Sequence, residues 1–299
     1  MSKRQIKEKE QTPKTFKEKM LSFLKELGIV IFPFLLINNF VIAAFLVPTG
    51  SMENEVLTGE HLFVNKFIYG GTSPQNVPFT NIQLPWFRLP AFRDVRRGDV
   101  IVFVFPGYRD DVKSEEFQFW LKRCIGMSGD TILIKDRVVF VNGQTIPMPR
   151  HVKYDRGWSD PTNEPNDNVF PAGSGWNEDN YGPLIVPKAG TVIPLTAQTS
   201  SSWLVFIRRE GHTVERSSGN ILIDGKPTTS YTVEQDYCFG MGDHRDNSLD
   251  GRYWGFIPKK NLVGTPIIVY WSWDTNIPLY DIFGRLASVR WGRIGSLIK

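Results

Sequence analysis

The sequence predicts a mainly β protein, in which a single N-terminal transmembrane helix precedes an antiparallel β-sheet body with an inserted β-rich subdomain. Three observations favour this fold class. An uncharged apolar run of twenty residues lies near the N-terminus, short β-branched and aromatic runs follow it, and Asn-Gly or Asp-Gly pairs close two of those runs. No second run approaches spanning length, and helical periodicity is poor beyond the N-terminal region.

The apolar run extends from Gly28 to Val47. It is long enough to span, because a helix rises ~1.5 Å per residue and the hydrocarbon core is ~30 Å thick. Pro33, Asn38 and Asn39 weaken the pattern, although such residues are tolerated in spans. A cleaved secretory signal and a buried core helix are the alternatives. We favour a retained anchor, because cleaved signals have shorter basic and apolar regions than this one.

Charge predicts the orientation of the anchor. Of the 35 basic and 31 acidic residues, eight basic and four acidic ones precede the run, so 27 of each remain in the body. The positive-inside rule then keeps residues 1–27 in the cytoplasm and residues 48–299 outside. Because the body is neutral in total, its charge argues against a broad nucleic-acid-binding surface, and we expect no nucleic-acid partner.

The body shows repeated strand signals. Asn142-Gly143 and Asp224-Gly225 each follow an apolar run and predict tight hairpin turns. Residues 153–182 are rich in Asp, Asn, Pro and Gly, which predicts a long surface loop or a lightly structured insertion. The predicted strands are Val100–Phe105, Thr131–Ile134, Val138–Val141, Ile221–Ile223 and Pro266–Trp273.

An aromatic segment and two cysteines leave questions open. Leu84–Phe92 (LPWFRLPAF) combines Trp, Phe and Arg, which suits either a membrane–water interface or ordinary packing under a proline-rich loop. Cys124 and Cys238 lie outside in the predicted topology, where disulfides are permitted, but sequence does not show whether they meet. Neither has a second Cys or a His at ligand spacing, so we predict no metal site and no cofactor.

Single residues give weak evidence of chemistry. Ser51 lies in Pro-Thr-Gly-Ser, which is typical of a turn, and a lysine such as Lys122 beside Arg123 normally points into water. Asp243 and His244 allow a Ser–His–Asp triad in principle. Adjacent residues on a strand point to opposite faces, so this pair is a poor proton relay.

Four segments together are more specific. In chain order they are PTGSMENEVLTGEHLFVNKFIYG, RRGDVIVF, WLKRCIGMSGDTI and MGDHRDNSLDGRYWGFIP, and they cover roughly a fifth of the chain. With the N-terminal span in front of them, they closely resemble the corresponding segments of the bacterial type I signal peptidases. These are membrane-anchored serine proteases that remove secretory signals.

The resemblance implies a role for each matching position. Ser51 matches the nucleophile, Lys122 matches the general base, and Thr49 matches a hydroxyl that joins the nucleophile's backbone N–H in the oxyanion hole. Three supporting positions match as well: Ser248, which orients the lysine, and Asp250 and Arg252, which form an ion pair. The chain departs from the family pattern at His244 (usually Asn), Gly251 (often Ser) and Met127-Ser128 (often Leu-Pro). None of these residues belongs to the implied catalytic dyad of Ser51 and Lys122.

The residues around Lys122 suit the implied chemistry. A lysine is a base only when neutral, so its pKa must fall from ~10.4, and burial lowers such pKa values by up to ~3–5 units. Phe119, Trp120, Leu121 and Ile125 can supply the apolar wall. Arginine could not replace the lysine, because it stays protonated in proteins.

The resemblance therefore implies a signal peptidase I in the bacterial cytoplasmic membrane, with exported preproteins as substrates and the lipid bilayer as its other partner. The alternatives are a related Ser/Lys protease with a dedicated substrate or self-cleavage, and a non-catalytic anchored binding module. The predicted segments are a basic cytoplasmic tail (1–27), the transmembrane helix (28–47), two parts of a catalytic core (48–149 and 237–299) and an inserted subdomain (150–236).

Overall fold

The computed structural model describes residues 15–74, 82–157, 163–217 and 219–299. Within these ranges the chain forms four α-helices, four short 3₁₀ turns and sixteen β-strands. The helices are α1 (Phe16–Phe40), α2 (Ser201–Arg209), α3 (Gly251–Trp254) and α4 (Ile282–Ala287). The strands are β1 (Ile42–Leu46), β2 (Glu60–Asn65), β3 (Val100–Val104), β4 (Phe119–Met127), β5 (Thr131–Lys135), β6 (Val138–Val141), β7 (Gln144–Thr145), β8 (Tyr181–Ile185), β9 (Val192–Pro194), β10 (Val214–Ser217), β11 (Asn220–Ile223), β12 (Lys226–Thr228), β13 (Ser230–Thr232), β14 (Tyr237–Met241), β15 (Ile257–Pro258) and β16 (Leu262–Ser272).

The largest sheet has seven antiparallel strands in the order β1-β2-β16-β3-β4-β14-β15. β4 lies between β3 and β14, and its residues 122–126 are buried. Two apolar clusters pack on this sheet, one around Phe103 and Trp254 and the other around Leu62 and Val269. The mainly β, antiparallel prediction is confirmed.

The remaining strands form smaller sheets. A four-stranded sheet has the order β7-β6-β5-β8, a three-stranded sheet joins β10, β11 and β12, and β9 pairs with β13. A third apolar cluster, which includes Ile132, Phe206, Phe239 and Phe256, connects these sheets and α2 to β14. The second sheet already begins at Thr131, so part of it precedes residue 150, where the sequence suggested that the inserted subdomain starts. Those domain boundaries stay a prediction.

Both predicted hairpin turns are present. Asn142 and Gly143 have φ of 54° and 76°, and Asp224 and Gly225 have φ of 51° and 76°. Positive φ at both central residues is the type I′ geometry that matches the twist of two paired strands. These turns connect β6 to β7 and β11 to β12, as the sequence indicated.

The N-terminal helix differs from the predicted span. The prediction placed a helix over 28–47, whereas α1 starts at Phe16 and ends at Phe40. The last part of the apolar run becomes β1 because its backbone pairs with β2, from Ile42 opposite Asn65 onwards. The segment Lys19–Phe40 of α1 has 22 residues, is long and apolar enough to cross a membrane, and has none of its most apolar stretch buried in the body. The part of the predicted basic tail before residue 15 lies outside the described residues.

Candidate active site

Ser51 lies in the turn that follows β1. Val47 fixes the start of this turn through two backbone hydrogen bonds. Its N–H donates to the Glu60 carbonyl, and its carbonyl accepts from the Gly59 N–H. The Ser51 carbonyl accepts a hydrogen bond of 3.1 Å from the His244 backbone N–H. The next side chain, Met52, is buried. The turn is therefore attached at three points, and the Ser51 side chain stays half-buried at its surface.

Lys122 lies in β4, opposite Ile101 of β3. Its side chain is buried, with 3% of its surface exposed, and its Nζ lies 2.7 Å from Ser51 Oγ, within hydrogen-bond distance. Burial lowers the pKa of Lys122 to about 8; Asp250 and Asp243 oppose this shift and Arg252 adds to it. A serine hydroxyl thus meets an amine that loses its proton far more easily than an exposed lysine does.

A buried ion pair supports the site. Arg252 Nε lies 2.9 Å from Asp250 Oδ1, and both side chains are almost fully buried. Burial alone would raise the pKa of Asp250, but Arg252 and the Gly242 N–H hold it below its usual value, so the carboxylate stays charged. Asp250 also caps α3 by accepting from the Arg252 N–H. Two of the predicted supporting residues are therefore in contact beside Gly242.

Ser248 is near the dyad but does not bond to it in this structure. Its side chain is buried, and its Oγ has no hydrogen-bond partner among the described residues. A Cβ at Gly242 would clash with both the Ser248 side chain and the Ser51 carbonyl oxygen, so Ser248 lies close to the Ser51 turn. The implied contact from Ser248 to Lys122 is not formed, so the role of Ser248 stays a prediction.

A cleft of about 620 Å³ opens at Ser51 between β1 and the start of β4. Most of its lining is apolar, and Thr49 lies on its wall in the same turn as Ser51. Phe45 and Phe119, one from each side, meet edge to face with ring centroids 5.1 Å apart. The lining is completed by Leu46, Val47, Pro48, Met52, Leu62, Val102, Gln118, Trp120, Leu121, Lys122, Asn247 and Leu249.

The residues of the suggested Ser–His–Asp triad are not arranged as a relay. The Asp243 carboxylate binds Arg123, with Nε to Oδ1 at 2.8 Å and Nη2 to Oδ2 at 2.5 Å. The His244 ring faces elsewhere, with Nε2 2.8 Å from Asp155 Oδ2 and Nδ1 3.1 Å from Glu53 Oε2. The geometry therefore gives Ser51 an amine and not an imidazole as its neighbouring base.

Comparison with known proteins identifies the family. The family model described as "Signal peptidase, peptidase S26" matches residues 20–271. The chain belongs to this signal peptidase family. It is 26% identical over 272 residues to signal peptidase I of Pseudomonas aeruginosa, covering 85% of this chain and 75% of that protein. It is 29% identical over 287 residues to signal peptidase I of Buchnera aphidicola subsp. Acyrthosiphon pisum, covering 92% and 82%, and 27% identical over 263 residues to that of Aquifex aeolicus, covering 83% and 82%.

The protein is thus a peptidase and a hydrolase, and α1 fits a membrane anchor. One departure from the family pattern has a local explanation in the peptidase. A Cβ at Gly251 would lie 2.8 Å from both the Gly240 carbonyl oxygen and the Phe239 ring, so the position has no room for a serine here.

The sequence reasoning missed the buried pair of Arg123 and Asp243 in the peptidase. The sequence predicts that Lys122 and Arg123 point into water, yet both are buried, on opposite faces of β4. A charged residue inside an apolar strand needs a partner of opposite charge, and the structure provides it in Asp243. Arg123 also donates to the carbonyl oxygens of Gly98 and Lys299, which fixes the strand that carries Lys122.

The two cysteines of the peptidase are free and fully buried. They lie on the adjacent strands β4 and β14, in the same apolar cluster as Phe103 and Trp254. Contact with Cys238 is the main cause that raises the pKa of the Cys124 thiol, and burial adds to it. The thiols are therefore neighbours in the reduced state.

Proposed function

We propose that this protein is a membrane-anchored serine endopeptidase that removes N-terminal signal peptides from exported preproteins, with Ser51 as nucleophile and Lys122 as general base. The observation that carries the proposal is the 2.7 Å approach of Lys122 Nζ to Ser51 Oγ. Membership of the signal peptidase family supports the substrate class.

The proposed reaction begins with neutral Lys122. A serine hydroxyl is a poor nucleophile until a base takes its proton, and the buried amine is at the right distance to do so. Ser51 Oγ attacks the scissile carbonyl, the lysine gives its proton to the leaving amine, and an acyl-enzyme forms. Lys122 then takes a proton from water, and the water oxygen attacks the acyl carbonyl. The ester C–O bond breaks and Lys122 returns the proton to Ser51 Oγ, which releases the acid product and restores the dyad.

The developing oxyanion needs hydrogen-bond donors near Ser51. Thr49 lies in the same turn and lines the same cleft, which supports its hydroxyl as one donor. The Ser51 N–H has no backbone acceptor within the described residues, so it is available as a second. Donors of this kind typically contribute ~3–4 kcal/mol each to transition-state stabilisation.

The anchor and the cleft suggest how a substrate arrives. α1 leads within one residue into β1, and β1 forms one wall of the cleft. With the basic tail in the cytoplasm, Ser51 lies on the outer face of the membrane, where a translocated signal peptide leaves the bilayer. The apolar cleft between β1 and β4 suits an extended peptide, and the family resemblance implies small residues before the cut.

The test uses the full chain in detergent with several unrelated preproteins. We expect Ser51→Ala and Lys122→Ala each to abolish cleavage, while Ser217→Ala and Lys135→Ala, which remove the same groups from exposed positions, leave it unchanged. Full activity in Lys122→Ala would overturn the dyad. Cleavage of a single preprotein only, or of the chain itself, would instead favour the alternative of a dedicated substrate.

A further inference from the structure

The segment 295–299, called here the return segment, lies antiparallel to the middle of β16. An isolated bridge and several backbone hydrogen bonds hold it there, including one of 3.0 Å from the Ile298 N–H to the Ile267 carbonyl. The Ile298 side chain packs against the apolar cluster that contains Met52, the residue after Ser51. The return segment therefore shares its packing with the turn that carries Ser51.

The backbone of Lys299 bonds to both elements of the candidate site. Its N–H donates to Glu55 Oε1 at 2.7 Å, and its carbonyl accepts from Arg123 Nη1 at 2.9 Å. Glu55 lies in the same turn as Ser51, and Arg123 lies in β4, next to the proposed general base. One residue of the return segment therefore connects the turn that carries the hydroxyl to the strand that carries the amine.

Both partners of Lys299 are buried charged groups. Glu55 and Arg123 are each 4% exposed, and their direct approach is loose, with Nη2 3.7 Å from Oε2. The bond from Lys299 is also shorter than the 3.2 Å approach of His151 Nε2 to the same carboxylate. A buried charge depends on close hydrogen bonds. Loss of the Lys299 N–H would therefore leave Glu55 Oε1 without its close donor, in a place that water barely reaches.

We propose that Lys299 is a positioning residue, whose backbone holds the Ser51 turn against β4 and so sets the approach of Ser51 to Lys122. Arg123 and Lys122 point to opposite faces of β4, so the return segment acts from the face opposite to the dyad. Proton transfer needs Oγ and Nζ within hydrogen-bond distance, and they are 2.7 Å apart. Loosening of the turn from β4 lengthens this distance and slows the transfer. The inference rests on the proposed function, because it concerns the same dyad.

Two substitutions at residue 299 separate the backbone from the side chain. Proline has no backbone N–H, so Lys299→Pro removes the donor to Glu55, whereas Lys299→Ala keeps it and changes only an exposed side chain. Both full-length variants are assayed in detergent with a soluble peptide. We expect Lys299→Pro to lower kcat about 10-fold with KM unchanged, because a displaced dyad loses rate and not binding. We expect Lys299→Ala to stay within about 2-fold of the wild type.

Titration of Ser51 separates positioning from loss of folded protein. A serine-directed acylating probe gives, for each variant, the fraction of reactive Ser51 and the rate of its labelling. We expect Lys299→Pro to be labelled as completely as the wild type but about 10-fold more slowly. Wild-type kinetics, or a fall in the labelled fraction that accounts for the whole loss of activity, would overturn the proposal.

Substitution of the acceptor provides a second test if Lys299→Pro does not fold. Glu55→Ala removes the same hydrogen bond from the other side, whereas Glu55→Gln keeps an oxygen for the Lys299 N–H. We expect Ser51 to be labelled faster in Glu55→Gln than in Glu55→Ala, and equal rates would overturn the proposal. A wild type that is neither labelled nor active would refute the proposed function itself. A labelled wild type with an equally fast Lys299→Pro would refute only the positioning role.

Discussion

The side chains of Ser51 and Lys122 meet at 2.7 Å although the residues are 71 positions apart in the chain. The turn after β1 supplies the hydroxyl, and the interior of the seven-stranded sheet supplies the amine. The sheet and its apolar clusters therefore do two things at once: they bring the two groups together, and they exclude the water that would keep the lysine charged.

The pH dependence of cleavage should follow the Lys122 amine. Its pKa is lowered to about 8 by burial, and only the neutral amine accepts the serine proton. We expect kcat/KM for a soluble peptide to rise with pH up to about 8 and then to level off, because this ratio reports ionisation of the free enzyme. Initial rates between about pH 5.5 and 9.5, with the fold checked by circular dichroism, test this. A rate independent of pH below neutrality would exclude Lys122 as the base.

The same lowered pKa predicts a stability cost. In the unfolded chain the lysine binds its proton up to about pH 10.5, whereas in the folded state it releases the proton near 8. The folded state is therefore penalised most below pH 8, and the penalty disappears as the pH rises towards 10.5. We expect Lys122→Met to be inactive yet more stable at pH 7 by ~1–3 kcal/mol, with a smaller gain at pH 10.

Thermal unfolding of the full chain at both pH values measures that gain. Lys135→Met, at an exposed position of β5, is the matched control and should change little. A lower melting temperature for Lys122→Met at pH 7 would mean that the packing of the Lys122 side chain affects stability more than the burial of its charge does.

The parts of the fold that the sequence predicted correctly are those set by local chemistry. Asn142-Gly143 and Asp224-Gly225 adopt the left-handed backbone that their residue types tolerate, and the runs before them are strands. The end of α1 was not predictable in this way. The run from Gly28 to Val47 has one composition throughout, and pairing with the distant β2 decides where the helix stops.

The candidate site also has a part that the sequence predicts and a part that it does not. The resemblance of four segments to the family indicated Ser51 and Lys122 as site residues. No local feature predicts that their side chains meet, because the contact depends on the packing of β1, β4 and β14. The buried pair of Arg123 and Asp243 was missed for this reason: each residue alone looks like a solvated surface charge.

Gly242 should be indispensable because the space beside it is already filled. A Cβ there would collide with both the Ser248 side chain and the Ser51 carbonyl oxygen. We expect Gly242→Ala to lower kcat/KM for the soluble peptide at least about 10²-fold by displacing the turn that carries Ser51, since a 1 Å misplacement can cost that much. Gly157→Ala, where a Cβ meets nothing within 4 Å, is the control. Wild-type kinetics in Gly242→Ala would show that the turn moves without loss.

Substitution of His244 separates positioning from base catalysis. Its backbone N–H holds the Ser51 carbonyl, while its ring contacts Glu53 and Asp155, which are 39% and 51% exposed. The backbone contact survives any side-chain change, and contacts with partly exposed side chains are worth little. We therefore expect His244→Asn and His244→Ala to keep kcat/KM within about 5-fold of the wild type, whereas loss of a general base lowers kcat by several orders of magnitude. Asp155→Asn, which removes a charge facing the same ring, should have an effect no larger than that of His244→Ala. A loss in His244→Ala as severe as that in Ser51→Ala would assign the base to the imidazole and overturn the role proposed for Lys122.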